Sequence, residues 1–321
     1  MTLLLAPAAR AADEAQFKAT EEEARHEIED MVFRLRMFHE EARASLMASL
    51  ALPVFAEYFA LPESRANRYD SRGHLVLSER QAELRRRMEG WALALHRRFP
   101  IGETCLVDRQ GQEHMRVVGG AVKEPAEFSS EENTAPFFAP TLALAPGRVH
   151  LSDPYMSPDV HRWVVAFATP LPSTADGKAP GFFHIEVPLA LYQDILATKE
   201  YSFANAQAPV RDLEEQGRTF LVDRSGRLLA DSRREIAMVK RPDQQGGGMG
   251  GHAHDEKLED YLPLARIISA DPAFLAAIER MRRGETALIR LALDGKPYVL
   301  AFQPVPDRPG WSLGHLDPVG P

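Results

Sequence analysis

The stretch ETCLVDRQGQ at residues 103–112 returns as RTFLVDRSGR at 218–227. In each copy a short apolar run ends in Val-Asp-Arg, a polar residue and glycine, the pattern of a strand entering a tight turn. Asp108 and Asp223 stand just before Gln-Gly and Ser-Gly, so they read as turn residues, and two such turns in separate units would not converge as a catalytic pair. The neighbouring sequence extends the match. HMRVVGG completes a hairpin after the first copy, and RLLADS completes one after the second. Further on, VVAFATPLP and GFFHIE keep step with YVLAFQPVP and GWSLGH in their apolar and Pro/Gly positions. The chain therefore reads as two copies of one unit of about 100 residues: a hairpin, a helical insertion, then three antiparallel strands.

Ahead of both copies the period is helical. From Ala12 to about Leu50 nothing breaks a helix, and Ile28, Met31, Val32, Leu35, Phe38, Ala42, Leu46 and Leu50 form one apolar stripe. Glu21, Glu22 and Glu23 are read as loading its early turns, where the helix dipole favours anions. At 1.5 Å per residue such a helix is roughly 58 Å long, more than one domain can cover. Its early part, about residues 17–40, is therefore expected to protrude or to form a weak homodimer through Ile28, Met31 and Leu35. Pro53 ends it, VFAEYFALPE supplies a short helical piece, and Ser78 caps a further helix carrying Leu84, Met88, Trp91 and Leu95 on one face.

Composition narrows the function. The chain has 321 residues, a formal net charge of -8 and no basic stripe with interleaved aromatics, which argues against nucleic acid as a partner. One cysteine, Cys105, excludes an intrachain disulfide and a cysteine-rich zinc site, and it reads as a buried, inert thiol. No apolar run reaches the ~18–20 residues that span a bilayer. MTLLLAPAARA at 1–11 reads as the remnant of a secretion signal or membrane anchor, with a disordered Ala-rich terminus as the alternative. Nothing resembles a nucleophile elbow, a zincin helix or a P-loop, so an enzyme is not expected, and no cofactor is implied. The GGGMGG run at 246–251 is preceded by the polar, Pro-broken KRPDQQ, which is no dinucleotide strand. His252 and His254 could hold a metal, but their Gly-rich setting reads as a mobile insertion.

A long helix followed by two such units resembles the double Cache sensor domains of bacterial receptors. These are PAS-like extracytoplasmic modules of sensor histidine kinases, chemoreceptors and diguanylate cyclases. The likeness covers about residues 13–318 and is carried by APGRVHLSDPYMSPDVHRWVVAFATPL and GFFHIEVPLALYQ. It implies an α+β fold in which each unit is a mainly antiparallel five-stranded sheet with flanking helices. The divisions it implies are helices at 12–97, a ligand-binding, membrane-distal unit at 98–200 and a membrane-proximal unit at 201–318. It further implies a small-metabolite ligand, a periplasmic location, and relay through membrane anchors to an output domain, neither contained in this chain. A free periplasmic binding or scaffolding protein of the same fold is the alternative.

The resemblance also implies site residues. Tyr155 in DPY matches an aromatic that lines the family's pocket, and Glu186 in HIEV matches an acid that meets a ligand amine. Phe137 and Phe138 stand at an aromatic pair, and Ala135 replaces the arginine with which amino-acid-sensing members clamp a carboxylate, which weighs against an α-amino acid ligand. From strand alternation alone, His184 shares a face with Glu186, and a ligand or the covering loop could be its partner. Trp163 is placed in the pocket with them. Asp153 reads equally as a pocket residue or a turn acceptor before Pro154, and Arg116 as an anion clamp or a surface arginine.

Overall fold

The structure is a computed structural model that describes residues 6–173, 177–197, 217–233, 269–308 and 310–320, with side chains from Asp13 onward. The Gly/His stretch at 244–256, with His252 and His254, lies outside the described residues.

The chain opens with helix α1 (Ala6–Leu50), followed by α2 (Pro53–Ala60) and α3 (Glu79–Arg98). Then come β1 (Glu103–Asp108), β2 (Glu113–Val118), β3 (Ala121–Val122), α4 (Phe138–Leu142), β4 (His150–Leu151), β5 (Tyr155–Met156), β6 (Trp163–Pro170), β7 (Gly181–Pro188) and α5 (Leu189–Ala197). The second half holds β8 (Arg218–Val222), β9 (Leu228–Asp231), α6 (Pro272–Arg282), β10 (Ala287–Leu293), β11 (Lys296–Pro304) and β12 (Ser312–Pro318). One sheet runs β3-β2-β1-β7-β6-β4, with β5 also on β6; the other runs β10-β11-β12-β8-β9. Every pairing is antiparallel. The two orders are the same when read from their hairpins, since β2-β1-β7-β6 answers to β9-β8-β12-β11. The third strand of the first copy is broken into β4 and β5, and β3 is added at the edge, so the first sheet has seven strands where five were expected.

The hairpin turns explain the repeated sequence. Asp108 Oδ1 accepts the backbone N–H of Gln110 (2.7 Å) and Gln112 (3.0 Å); Asp223 Oδ1 accepts those of Ser225 (2.8 Å) and Arg227 (2.9 Å). Gly111 (φ 95) and Gly226 (φ 81) take the left-handed conformation that a Cβ would strain. Each hairpin also carries a bulge at the matching place, between Leu106 and Val107 and between Leu221 and Val222.

Contacts divide the chain into two compact units, parting between His39 and Glu40 within α1 and between Leu191 and Tyr192 within α5. In the first unit, α2 and α3 cover one face of the seven-stranded sheet, with the Phe55 ring 5.1 Å from Phe183. Ser78 caps α3 as read, in a capping box with Gln81. In the second unit, Phe220, Val222, Leu228, Leu300, Phe302 and Leu316 on the sheet meet Phe274, Ile278 and Met281 of α6 in an apolar core.

The early part of α1 corrects two expectations. Ile28, Met31 and Leu35 are buried within the second unit, so the stripe expected to meet another copy is covered by the chain itself. Phe33 and Met37 are the large apolar side chains that this segment exposes. The helix also starts at Ala6, before the supposed boundary at 11–12, so Glu21 is no N-terminal charge; it binds Arg290 Nε at 2.7 Å. Arg290 also holds Glu14 and lies over the Phe17 ring. No helix among the described residues is long and apolar enough to cross a membrane.

Candidate functional site

Cross-strand partners share a face of a sheet. The register therefore shows which side chains line the face of the first sheet away from α2 and α3. From β1 these are Glu103, Cys105 and Val107; from β7 their partners Glu186, His184 and Phe182; from β6 Val164, Ala166 and Ala168. Tyr155 joins through its pairing with Val164, and Arg116 through its pairing with Cys105. Phe137, Phe138 and Ala135, in and before α4, roof this face together with Leu142 and Val160. The Phe137 ring lies 4.6 Å from His184 and 5.5 Å from Tyr155, and Phe138 lies 5.5 Å from Phe182.

The bulge in the first hairpin adds one more group. Glu113 and Arg116 are three apart and would fall on opposite faces of a regular strand. The extra residue brings Glu113 opposite Val107, on Arg116's side, while His114 turns the other way to Tyr58, its Nδ1 2.9 Å from the hydroxyl.

The outcome is a buried acidic cluster. Tyr155 donates its hydroxyl to Glu186 Oε1 at 2.5 Å. Arg116 is 6% exposed and donates to Glu113 Oε2 (3.1 Å), Asp159 Oδ1 (2.7 Å) and the Glu127 carbonyl (3.0 Å); its Nε lies 3.7 Å from Glu103 Oε1. Glu132 completes a group with Glu113 and Asp159 whose ligating atoms lie within 4.8 Å of one another. Among the described residues, one guanidinium thus serves a run of five carboxylates, three of which it faces directly. Glu113 Oε1 and Glu186 Oε2 accept no hydrogen bond, although both residues are almost wholly buried.

Burial without enough countercharge decides the protonation. It pushes Glu186 up to about 7, against the hydrogen bond from Tyr155, with Asp159 and Glu132 adding to the rise. It pushes Glu113 up to about 8, Arg116 opposing and Glu132 assisting. Glu103 rises well above the carboxylate range through burial and then through Glu186, Asp159 and Glu113. Burial also opposes the charge on Arg116, but Glu113, Asp159 and Glu103 more than offset it.

Tyr155, Glu186, His184, Phe137, Phe138 and Arg116 therefore come together at this face. Arg116 is neither on the surface nor open to an anion, being held by carboxylates. Trp163 does not belong with the set. It precedes Val164 on β6, so its side chain leaves the opposite face of the sheet, with Val165 and Phe167. Asp153 is exposed, and the nearby acid that enters the cluster is Asp159. Sequence reading missed Glu103, Glu113, Glu132 and Asp159. Glu103 could have been found, since it begins the repeated decapeptide and its counterpart in the second copy is Arg218. A separate groove of about 380 Å³, lined by Leu52, Pro53, Val54, Arg87, Gly90 and Trp91, lies on the helical layer and carries no acid.

Known proteins share this fold. No protein-family profile matches the chain, and no curated protein does. Among solved structures, the sensory domain of the Campylobacter jejuni chemoreceptor Tlp3 with isoleucine bound superposes with a TM-score of 0.60 and 11% identity, covering 95% of each chain. A domain of a putative sensory box/GGDEF family protein from Vibrio parahaemolyticus gives 0.61 and 12%, over 94% of this chain and 97% of that one. The ligand-binding domain of the Pseudomonas fluorescens chemoreceptor CtaA with L-serine gives 0.51 and 14%, over 94% and 98%. At these identities the likeness establishes the fold, which is the one the sequence resemblance implied.

Proposed function

We propose that this chain is the extracytoplasmic small-molecule sensing module of a bacterial signal-transduction receptor, with its ligand held against the first sheet. The observation that carries this reading is the contrast between matching faces of the two units. Where the second unit has Phe220, Leu300, Phe302 and Leu316 packed together, the first has Cys105, Ala166, Ala168 and Glu186. Small and acidic residues in place of large apolar ones leave polar groups buried without partners, which a ligand can supply. The sensory and ligand-binding domains of the same fold support it further. Relay would run through the second unit and α1 to a membrane anchor and output domain. Because the site is roofed by Phe137, Phe138 and the Asp159 loop, entry requires that roof to open, giving ligand binding a movement to transmit.

Calorimetry and thermal shift against amines, carboxylates and purines test it. A ligand present at 100 times its dissociation constant should add about 2.7 kcal/mol of stability. Tyr155→Ala and Glu186→Ala should remove most of the binding heat. Retained binding in both, with loss on substitution in β11 or β12, would place the ligand in the second unit and defeat the reading.

A further inference from the structure

The acidic cluster is elongated rather than round. Glu186, His184 and Glu103 form one group of ligating atoms within 4.8 Å; Glu103, Cys105 and Glu113 form a second; Glu113, Glu132 and Asp159 form a third. Because the groups share Glu103 and Glu113, they make one run from β7 across β1 to β2 and into the roof. The described cation among them is Arg116, which sits at the Glu113–Asp159 end. Within the run, two buried carboxylate oxygens accept no hydrogen bond, Glu186 Oε2 and Glu113 Oε1, and they belong to residues two steps apart along it. Between and around them stand Cys105, Val164, Ala166 and the rings of Phe137 and Tyr155.

A single hard metal ion fits this poorly. It would have to draw several of these oxygens in to about 2.0–2.6 Å and displace Arg116 from two of them. An α-amino acid fits no better, since its carboxylate would enter a run of carboxylates with Arg116 already held. Alkylammonium groups suit both parts of the site: the charge rests on carboxylates and the carbon stem on aliphatic and aromatic walls.

We infer that the site takes an organic cation with two charged nitrogens a few carbons apart, of the aliphatic diamine type, one nitrogen held by Glu186 and the other by Glu113. This rests on the reading that the first unit binds a small ligand, and it names that ligand's class. Burial raises the Glu103, Glu113 and Glu186 carboxyls, the last two to about 8 and about 7, with Glu132, Asp159, Arg116, His184, Cys105 and Tyr155 facing them. Binding of a dication would therefore expel protons, and affinity would rise as pH climbs through 7 to 8.

The test is calorimetry on the whole chain at pH 8, comparing putrescine with n-butylamine, which has the same four carbons and one nitrogen fewer. Putrescine should bind at least about tenfold more tightly, and repetition in buffers of different ionisation enthalpy should show proton release. Glu113→Gln should erase the advantage of putrescine over n-butylamine; Glu186→Gln should weaken both. Equal binding of the two amines by the unsubstituted protein would overturn the dication while leaving the small-ligand reading intact. Calcium or manganese binding, lost in the same variants while neither amine binds, would overturn it in favour of a metal. A failure of every metabolite to bind would overturn both readings.

Discussion

The two sheets share strand order, hairpin bulge and turn chemistry, yet matched positions on their inner faces hold opposite kinds of residue. Glu103 and Arg116 of the first sheet correspond to Arg218 and Asp231 of the second. In the second the pair balances: Arg218 meets both oxygens of Asp231, at 3.0 and 2.5 Å. In the first, Arg116 faces Glu103, Glu113 and Asp159, with Glu132 and Glu186 beyond. His184 answers to Gly314, where a Cβ would lie 2.4 Å from Phe220 Cζ, so the ring occupies the space. One copy is filled with its own side chains and holds shape; the other keeps small and acidic groups that are incomplete by themselves.

The largest expected difference comes from exchanging the matched residues. Leu316→Glu buries a carboxylate in the apolar second core, where its cross-strand neighbour Arg218 is already held by Asp231, and should cost about 3–5 kcal/mol in urea unfolding. Glu186→Leu combined with Tyr155→Phe removes a buried acid and its hydroxyl partner together, and should be neutral or stabilising. Equal losses would break the contrast. Next, Phe220→Ala should cost about 3–5 kcal/mol through the cavity left under Gly314, while Cys105→Ala at the matched position should cost about 1 kcal/mol.

The pH response should also separate the units. Glu113 and Glu186 titrate higher in the folded chain than unfolded, so the folded state binds more protons between about pH 4.5 and 8. Their contribution is fully present below the unfolded value and is lost as pH rises through 7 to 8. Melting temperature should fall over that window, and Glu113→Gln should flatten the fall. A slope unchanged by that substitution would mean that other groups cause it. The smallest difference is expected at the hairpins. Asp108→Ala and Asp223→Ala each remove two backbone acceptor contacts and should cost about 1–2 kcal/mol apiece. Asp108→Ala should be the costlier, since its further partner His114 is fully buried, whereas the further partners of Asp223, Ser225 and Arg227, are more exposed.

Much of this was legible from local patterns. The Asp-x-x-Gly hairpins, the Ser78 cap and the matching β6–β7 and β11–β12 runs follow from turn chemistry and period. Tyr155, Glu186 and the Phe137–Phe138 pair followed from the resemblance. What escaped depended on features that sequence alternation does not carry. The bulge reverses the facing of Glu113, and Glu132 and Asp159 reach the site from irregular segments. Trp163 falls on the other face because Ala166, an odd number of residues along β6, is the partner of Glu186, a pairing that alternation within one strand does not reveal. The dimer stripe failed for a related reason: periodicity shows that a helix face is apolar, but not which surface covers it.

The central claim is that, among the described residues, the first sheet holds buried acids in excess of its cations, and that the second does not. Carbon-13 NMR titration of glutamate side-chain carboxyls reads this directly, without a ligand. The account predicts glutamate resonances that titrate above the ordinary range, among them two with midpoints near 7 and 8, lost respectively in Glu186→Gln and Glu113→Gln. If every glutamate instead titrates in the ordinary range of about 4–5, the buried cluster is already compensated and the claim is wrong.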